Sequence, residues 1–149
     1  MSYATCESAL ITVLKLLTTS FGTTDVTAGD YRCLNNGAPN HAIVLPGGFG
    51  DNGIAGGVST RSWDLLIDLY KRFDGDSSYH DFAVLRDAVI AHLDKYPTLN
   101  HAAGVTVRTI ISSGDPRDIM DEYGKGPFWV AQMLRVTVTD RAAVTGGEF

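Results

Sequence analysis

At 149 residues the chain has the length of one domain, and a hydrophobic content of 44% can supply one core. A formal net charge of −5 argues against a general binder of nucleic acid or anionic membrane, because neutralising phosphates needs clustered Lys and Arg. Charged residues are only 19% of the chain, low for a free-standing soluble protein, so part of the surface is expected to be covered by partners.

In chain order, Cys6, Ala9, Leu10, Val13, Leu14 and Leu17 keep the i, i+3, i+4, i+7 spacing of one helix face. This predicts a first helix from about Ala4 to Thr18. Nothing basic precedes its apolar run, as a signal peptide would require. No apolar stretch approaches a membrane span either, so a soluble protein made in the cytoplasm is expected. The two cysteines, Cys6 and Cys33, have no metal-ligand spacing and build no disulfide framework, which fits a reducing compartment. Between residues 22 and 40, Gly29–Leu34 could form a short strand, and Asn35-Asn36-Gly37 with Pro39 marks turns.

His41–Leu45 has the apolar, β-branched content of a short strand that stops at Pro46. The glycine-rich stretch Pro46–Gly57 then reads as the mobile tip of an extended hairpin, since glycine loses the most backbone entropy on being fixed. The returning strand, Trp63–Phe73, carries Trp63, Leu65, Ile67, Leu69 and Phe73 on one side. Asp64, Asp68 and Arg72 on the other side can stay in water. Asp74-Gly75-Asp76 turns the chain, and Ser78 with Asp81 resembles a capping box. The helix it opens has Phe82, Leu85, Val89, His92, Leu93 and Tyr96 on one face and stops at Pro97. Val105–Ile111 alternates as a third strand, a polar acidic loop follows from Ser112 to Gly126, and a last strand runs from about Phe128 to Thr139. In that strand Gln132 interrupts an apolar row of Phe128, Val130, Leu134, Val136 and Val138. The expected fold is α+β: two helices on one face of a mainly antiparallel sheet of about four strands, with long hairpin loops. Residues 1–139 make the single domain and 140–149 a C-terminal arm.

The chemistry-bearing candidates are few. Gly48-Phe49-Gly50-Asp51-Asn52-Gly53 matches a dinucleotide-loop spacing, but a strand follows where a helix is needed, so a hairpin loop is the better reading. Asp51-Asn52-Gly53 lacks the rest of a calcium loop. His41, His80, His92 and His101 show no metal spacing, and His92, on an apolar helix face, is expected to be a hydrogen-bonded core histidine. Ser112-Ser113 and Asp115 have no evident histidine partner for nucleophilic catalysis. Neither an enzyme nor a cofactor is expected. The remaining candidates are contact residues. Phe49 and Ile54 are apolar groups on an exposed loop. Tyr70, Tyr79, Trp129 and Met133 are candidates for an oligomer interface, with cover by a terminal segment or a loop as the alternative for Trp129 and Met133. Asp115, Asp118, Asp121 and Glu122 form an acidic loop that is solvated or faces a cation.

Four pieces in order resemble the tail terminator (tail completion) proteins of long-tailed bacteriophages. They are the apolar N-terminal helix, Ala42-Ile43-Val44-Leu45-Pro46-Gly47 entering a variable loop, the strand Ser62–Tyr70, and the helix Leu85–Leu99. The terminal pair of strands agrees with that arrangement. The resemblance implies a structural subunit without an active site. It would form a closed ring, usually a hexamer, on the head-proximal end of the tail tube. Such a ring stops tube growth and offers the surface on which the head docks. Its partners would be further copies of the chain, the tail tube protein, the head–tail connector and DNA passing without sequence-specific contact. It would reside in the tail and neck of the virion after assembly in the host cytoplasm. Asp115, Asp118, Asp121 and Glu122, with Asp51 second, would then be lumen candidates. A head-completion or neck connector protein is the nearest alternative, and a small ligand-binding α/β domain a more distant one.

Overall fold

A computed structural model describes residues 2–29, 31, 34, 37–55, 58–73, 75, 77–99, 105–119 and 129–143, with 49–55, 58–60, 105–114 and 140–143 described by backbone alone. Along the chain it has α1 (Tyr3–Lys15), β1 (Val26–Ala28), β2 (Asn40–Ala55), β3 (Val58–Arg72), α2 (Ser78–Asp94), β4 (Val105–Ile119) and β5 (Trp129–Ala143).

Helix α1 starts where Ser2 caps it, its Oγ accepting from the Thr5 N–H at 3.2 Å. Its buried face is Cys6, Ala9, Leu10, Val13 and Leu14. The helix stops three residues before Thr18 because the N–H groups of Leu16 and Leu17 bond three residues back, to Val13 and Leu14, tightening the last turn. Helix α2 is capped one residue earlier than expected. Ser77 is the N-cap and its hydroxyl donates to Asp81 Oδ2 at 3.0 Å, whereas Ser78 is buried in the first turn. The helix ends before Pro97, as the ring requires. His92, buried, donates through Nε2 to the Val13 carbonyl at 2.6 Å, which ties the two helices together.

The sheet is mixed and has five strands in the order β1-β2-β3-β5-β4, so the expectation of about four is corrected. The missed strand is β1, which pairs parallel with β2 at Ala42–Val44. It lies before Gly29–Leu34. Gly29, at φ +64, ends it while donating to the Val44 carbonyl at 3.0 Å. All other pairings are antiparallel. Both helices share one core with one face of the sheet. Trp63, Leu65, Ile67 and Leu69 of β3 and Val130, Leu134, Val136 and Val138 of β5 meet Leu10, Leu14, Phe82 and Val89 there. Gln132 interrupts the β5 row without harm because its buried Oε1 accepts from Arg86 Nη1 on α2 at 3.0 Å.

Most of the two expected hairpin loops is strand. β2 continues through Pro46 to Ala55, pairing with β3 as far as Ala55–Val58, and β4 continues from Ser112 to Ile119. The surplus residues are absorbed as bulges. Register shifts fall between Pro46 and Phe49, between Asp51 and Ile54, between Val107 and Thr109, and between Ser113 and Arg117. Pro116, which has no N–H to give a ladder, sits in the last of these. Residues 56–57 and 120–126 lie outside the described residues. β5 likewise extends past Thr139 to Ala143, so 140–143 belong to the sheet and not to an arm.

Two bulges coincide in height. Gly47 and Gly48 on β2 lie opposite Asp64, Asp64 pairs with Thr137, and Thr137 pairs with Thr109 beside the β4 bulge at 108. A Cβ on Gly47 would stand 2.7 Å from the Asp64 carbonyl oxygen, so the close approach there needs glycine. Thr137 Oγ1 donates to Asp64 Oδ1 at 2.8 Å and pins the same row. The row marks a crease across the sheet. The helix-side core reaches Trp63 and Val138, just beyond it. The β2 backbone continues from Phe49 to Ala55, roughly 20 Å at about 3.3 Å per residue.

Candidate interaction surface

The sheet face away from the helices carries a second, smaller cluster of Ile43, Tyr70, Trp129 and Ala131. The alternation of β2, β3 and β5 dictates it, since these residues are out of phase with the helix-side rows. Leu34, Leu45 and Ile119 pack against it, and Tyr31 meets the Tyr70 ring edge-on with centroids 6.4 Å apart. Tyr70 is 4% and Trp129 9% exposed. Both are therefore corrected from interface candidates to core residues of the subunit, and Met133 is half-buried. Tyr31 and Leu34, both before β2, supply part of the cover on this cluster.

Beneath that cover lies a polar network. Asp68, expected in water, is buried. Arg117 Nη2 reaches its two oxygens at 3.0 and 3.2 Å, and the Tyr70 hydroxyl donates to Oδ2 at 2.7 Å. Arg117 pairs with Ala131, which pairs with Tyr70, so the guanidinium crosses β5 above a methyl group to reach β3. Burial pushes the Tyr70 phenol up, and its bond to Asp68 adds to that. For Arg117 burial opposes the charge, but the bond and charge of Asp68 outweigh it and the pKa is raised. His41 is fully buried, and a hydrogen bond with the Ala38 backbone works against the effect of that burial on its pKa. Its Nδ1 stands 4.0 Å from Asp25 Oδ1, and its ring meets Trp129 edge-on at 5.2 Å. Burial pushes its pKa down, while the Asp25 charge opposes the shift. The guanidinium of Arg72 lies over the Trp129 ring at 5.6 Å.

The other candidates are separated by the fold. Phe49, Asp51 and Ile54 lie in the distal half of β2, opposite Trp63, Arg61 and Ser59. Tyr79 is 47% exposed on the first turn of α2, edge-on to Phe73, and its hydroxyl donates to Asp118 Oδ1. That bond is the main cause of its raised pKa. Asp115 and Asp118 are exposed, but they belong to β4 and not to a loop. Asp121 and Glu122 lie outside the described residues. Sequence reasoning missed that two strand edges have no partner among the described residues. Among the described residues nothing pairs with the outer edge of β4, nor with β2 beyond Val44.

Among the described residues no group of three or more His, Cys, Asp and Glu could hold a metal, and no helix is long and apolar enough to cross a membrane. One open cleft of about 270 Å³ lies between α2 and the base of the sheet, lined by Asn40, Lys71, Asp81 and Leu85. Lys71 and Asn40 already bond each other there at 3.2 Å. No protein-family model and no curated protein matches this chain.

Proposed function

We propose that the chain is a structural virion protein that forms a ring at the head-proximal end of a phage tail tube. The ring stops tube growth and provides the surface on which the head connector docks. The observation that carries this reading is the layering. Two helices share a core with one side of the sheet, and the strand backbone continues past the row of bulges with no partner strand on either outer edge among the described residues. Exposed edges of that length are a hazard in a free monomer and a resource in an assembly. The order of elements also agrees with the resemblance drawn from the N-terminal helix, the β2–β3 hairpin and α2. The low charge fraction fits a surface that neighbours cover.

A ring of identical subunits uses head-to-tail contacts that must close. Native mass spectrometry of the purified chain tests this. The reading expects one closed species, with six copies the expected number. A strict monomer or a two-fold dimer over the micromolar range would overturn it.

A further inference from the structure

The pairings place the two edges that are open among the described residues at the same height of the sheet. Following partners across it, Leu45 leads through Leu66 and Arg135 to Ile111. Gly50 leads through Ser62 and Thr139 to Thr106. The free part of β2 is thus level with Val105–Ile111. Below it β1 occupies the β2 edge at Ala42–Val44, level with the stretch of β4 that begins at Ser112 and runs into its irregularity before Arg117. Open edge therefore faces open edge, and the blocked part faces the broken part. Polarity agrees as well. Each step from β2 to β3, β5 and β4 reverses direction, so β4 runs opposite to β2. Copies placed side by side in one orientation would bring β4 against β2 as an antiparallel pair, the geometry that ladders most readily form. The bulges at 47–48 and 108 also lie on one row, so a crease in one copy continues into the next.

We propose that neighbouring copies join edge to edge, the Val105–Ile111 edge of β4 adding antiparallel to the free edge of β2 in the next copy. The occupant of each edge is a second copy of this chain. This rests on the ring reading and names its joint. Because the two edges differ, the contact is heterologous and repeats in one direction. Main-chain hydrogen bonds supply its strength, as in other strand additions.

Two experiments test the joint on the full chain, beside the native mass of the unsubstituted protein. Adjacent residues of a strand point their N–H groups to opposite sides, so of Thr109→Pro and Ile110→Pro one loses a bond to β5 and the other a bond across the open edge. The edge variant should keep its circular dichroism and melting temperature while its ring population falls about ten-fold or more. In a Cys33→Ser background, Gly50→Cys and Thr106→Cys chains are mixed with a short bismaleimide. Crosslinks should form between the two kinds of chain and not between two Thr106→Cys chains. Crosslinking of Thr106→Cys to itself would establish a two-fold joint and overturn the proposal. A ring of correct mass with no mixed crosslink and two fully assembling proline variants would overturn the joint and leave the ring reading standing. A monomeric unsubstituted chain would overturn both.

Discussion

Asp68 and Arg117 show how a single side chain holds this sheet together. The carboxylate is 2% exposed and its cation is 44% exposed at the side chain, so the pair is neither a surface bridge nor a sealed one. Removing the guanidinium leaves a buried charge with one hydroxyl donor. Discounting for the solvent that reaches Arg117, Arg117→Ala should cost about 2 kcal/mol in chemical denaturation. An Asp68→Asn, Arg117→Ala double variant should recover part of that loss. His41 gives a pH signature. Its folded pKa lies below the ordinary 6.5 because burial disfavours the imidazolium, with Asp25 opposing and Arg72 adding to the shift. The neutral form is thus favoured by folding. Its contribution is fully present above pH 6.5 and is lost as pH falls below that value and through the folded pKa. Stability should fall more steeply between about pH 7 and about pH 5 in the native chain than in His41→Phe, measured by urea midpoints. Trp129→Asp should unfold the subunit, because it places a carboxylate in the buried cluster of Ile43, Tyr70 and Ala131. The period of two in Trp63–Leu69 was legible from the residues, and so was His92 as a core histidine. The burial of Asp68 was not, because Arg117 reaches it only when β5 lies between β3 and β4, and no local pattern encodes that order.

At the scale of elements, the β2–β3 hairpin divides at the crease. Its lower half supplies core residues such as Val44, Leu65 and Ile67. Replacing 50–61 by a two-residue Asn-Gly turn should therefore leave the subunit folded. Its melting temperature should stay within a few degrees, because the lower half of the hairpin and its core residues are kept whole. Assembly should be abolished, as read by light scattering. Unfolding, or an unchanged assembly, would contradict this division. The two helices, their faces and the β2–β3 hairpin were readable from periodicity, with helix ends misplaced by one to three residues. The glycine-rich and Ser112–Ile119 stretches misled because glycine, proline and serine signal loops locally. Here they lie in strands whose irregular residues are taken up as bulges, a choice made by the partner strand. β1 was missed for a related reason. Three residues carry no period, and its pairing is with residues some sixteen positions away.

For the whole molecule, charge is the property that a ring multiplies. In the proposed ring six copies would carry a formal −30, six times −5, and a passing DNA strand would meet whatever part of that charge lines the lumen. Acidic groups repel phosphate and release no counterions, so DNA slides where a basic lining would hold it. Asp115 is exposed and free to serve, and Asp118 is exposed while accepting from Tyr79. Changing Asp115, Asp118 and Asp121 to Lys should slow DNA ejection at low salt, and the effect should fade within the roughly 8 Å screening length of physiological salt. Unchanged ejection kinetics at low salt would remove these residues from the lumen. The position of the chain along an intact particle tests the central claim most directly. A cryo-electron microscopy reconstruction of the neck should find one ring of this chain seated on the last ring of the tail tube, with the connector above it. Density for the chain at the portal, or nowhere between tube and connector, would contradict the account.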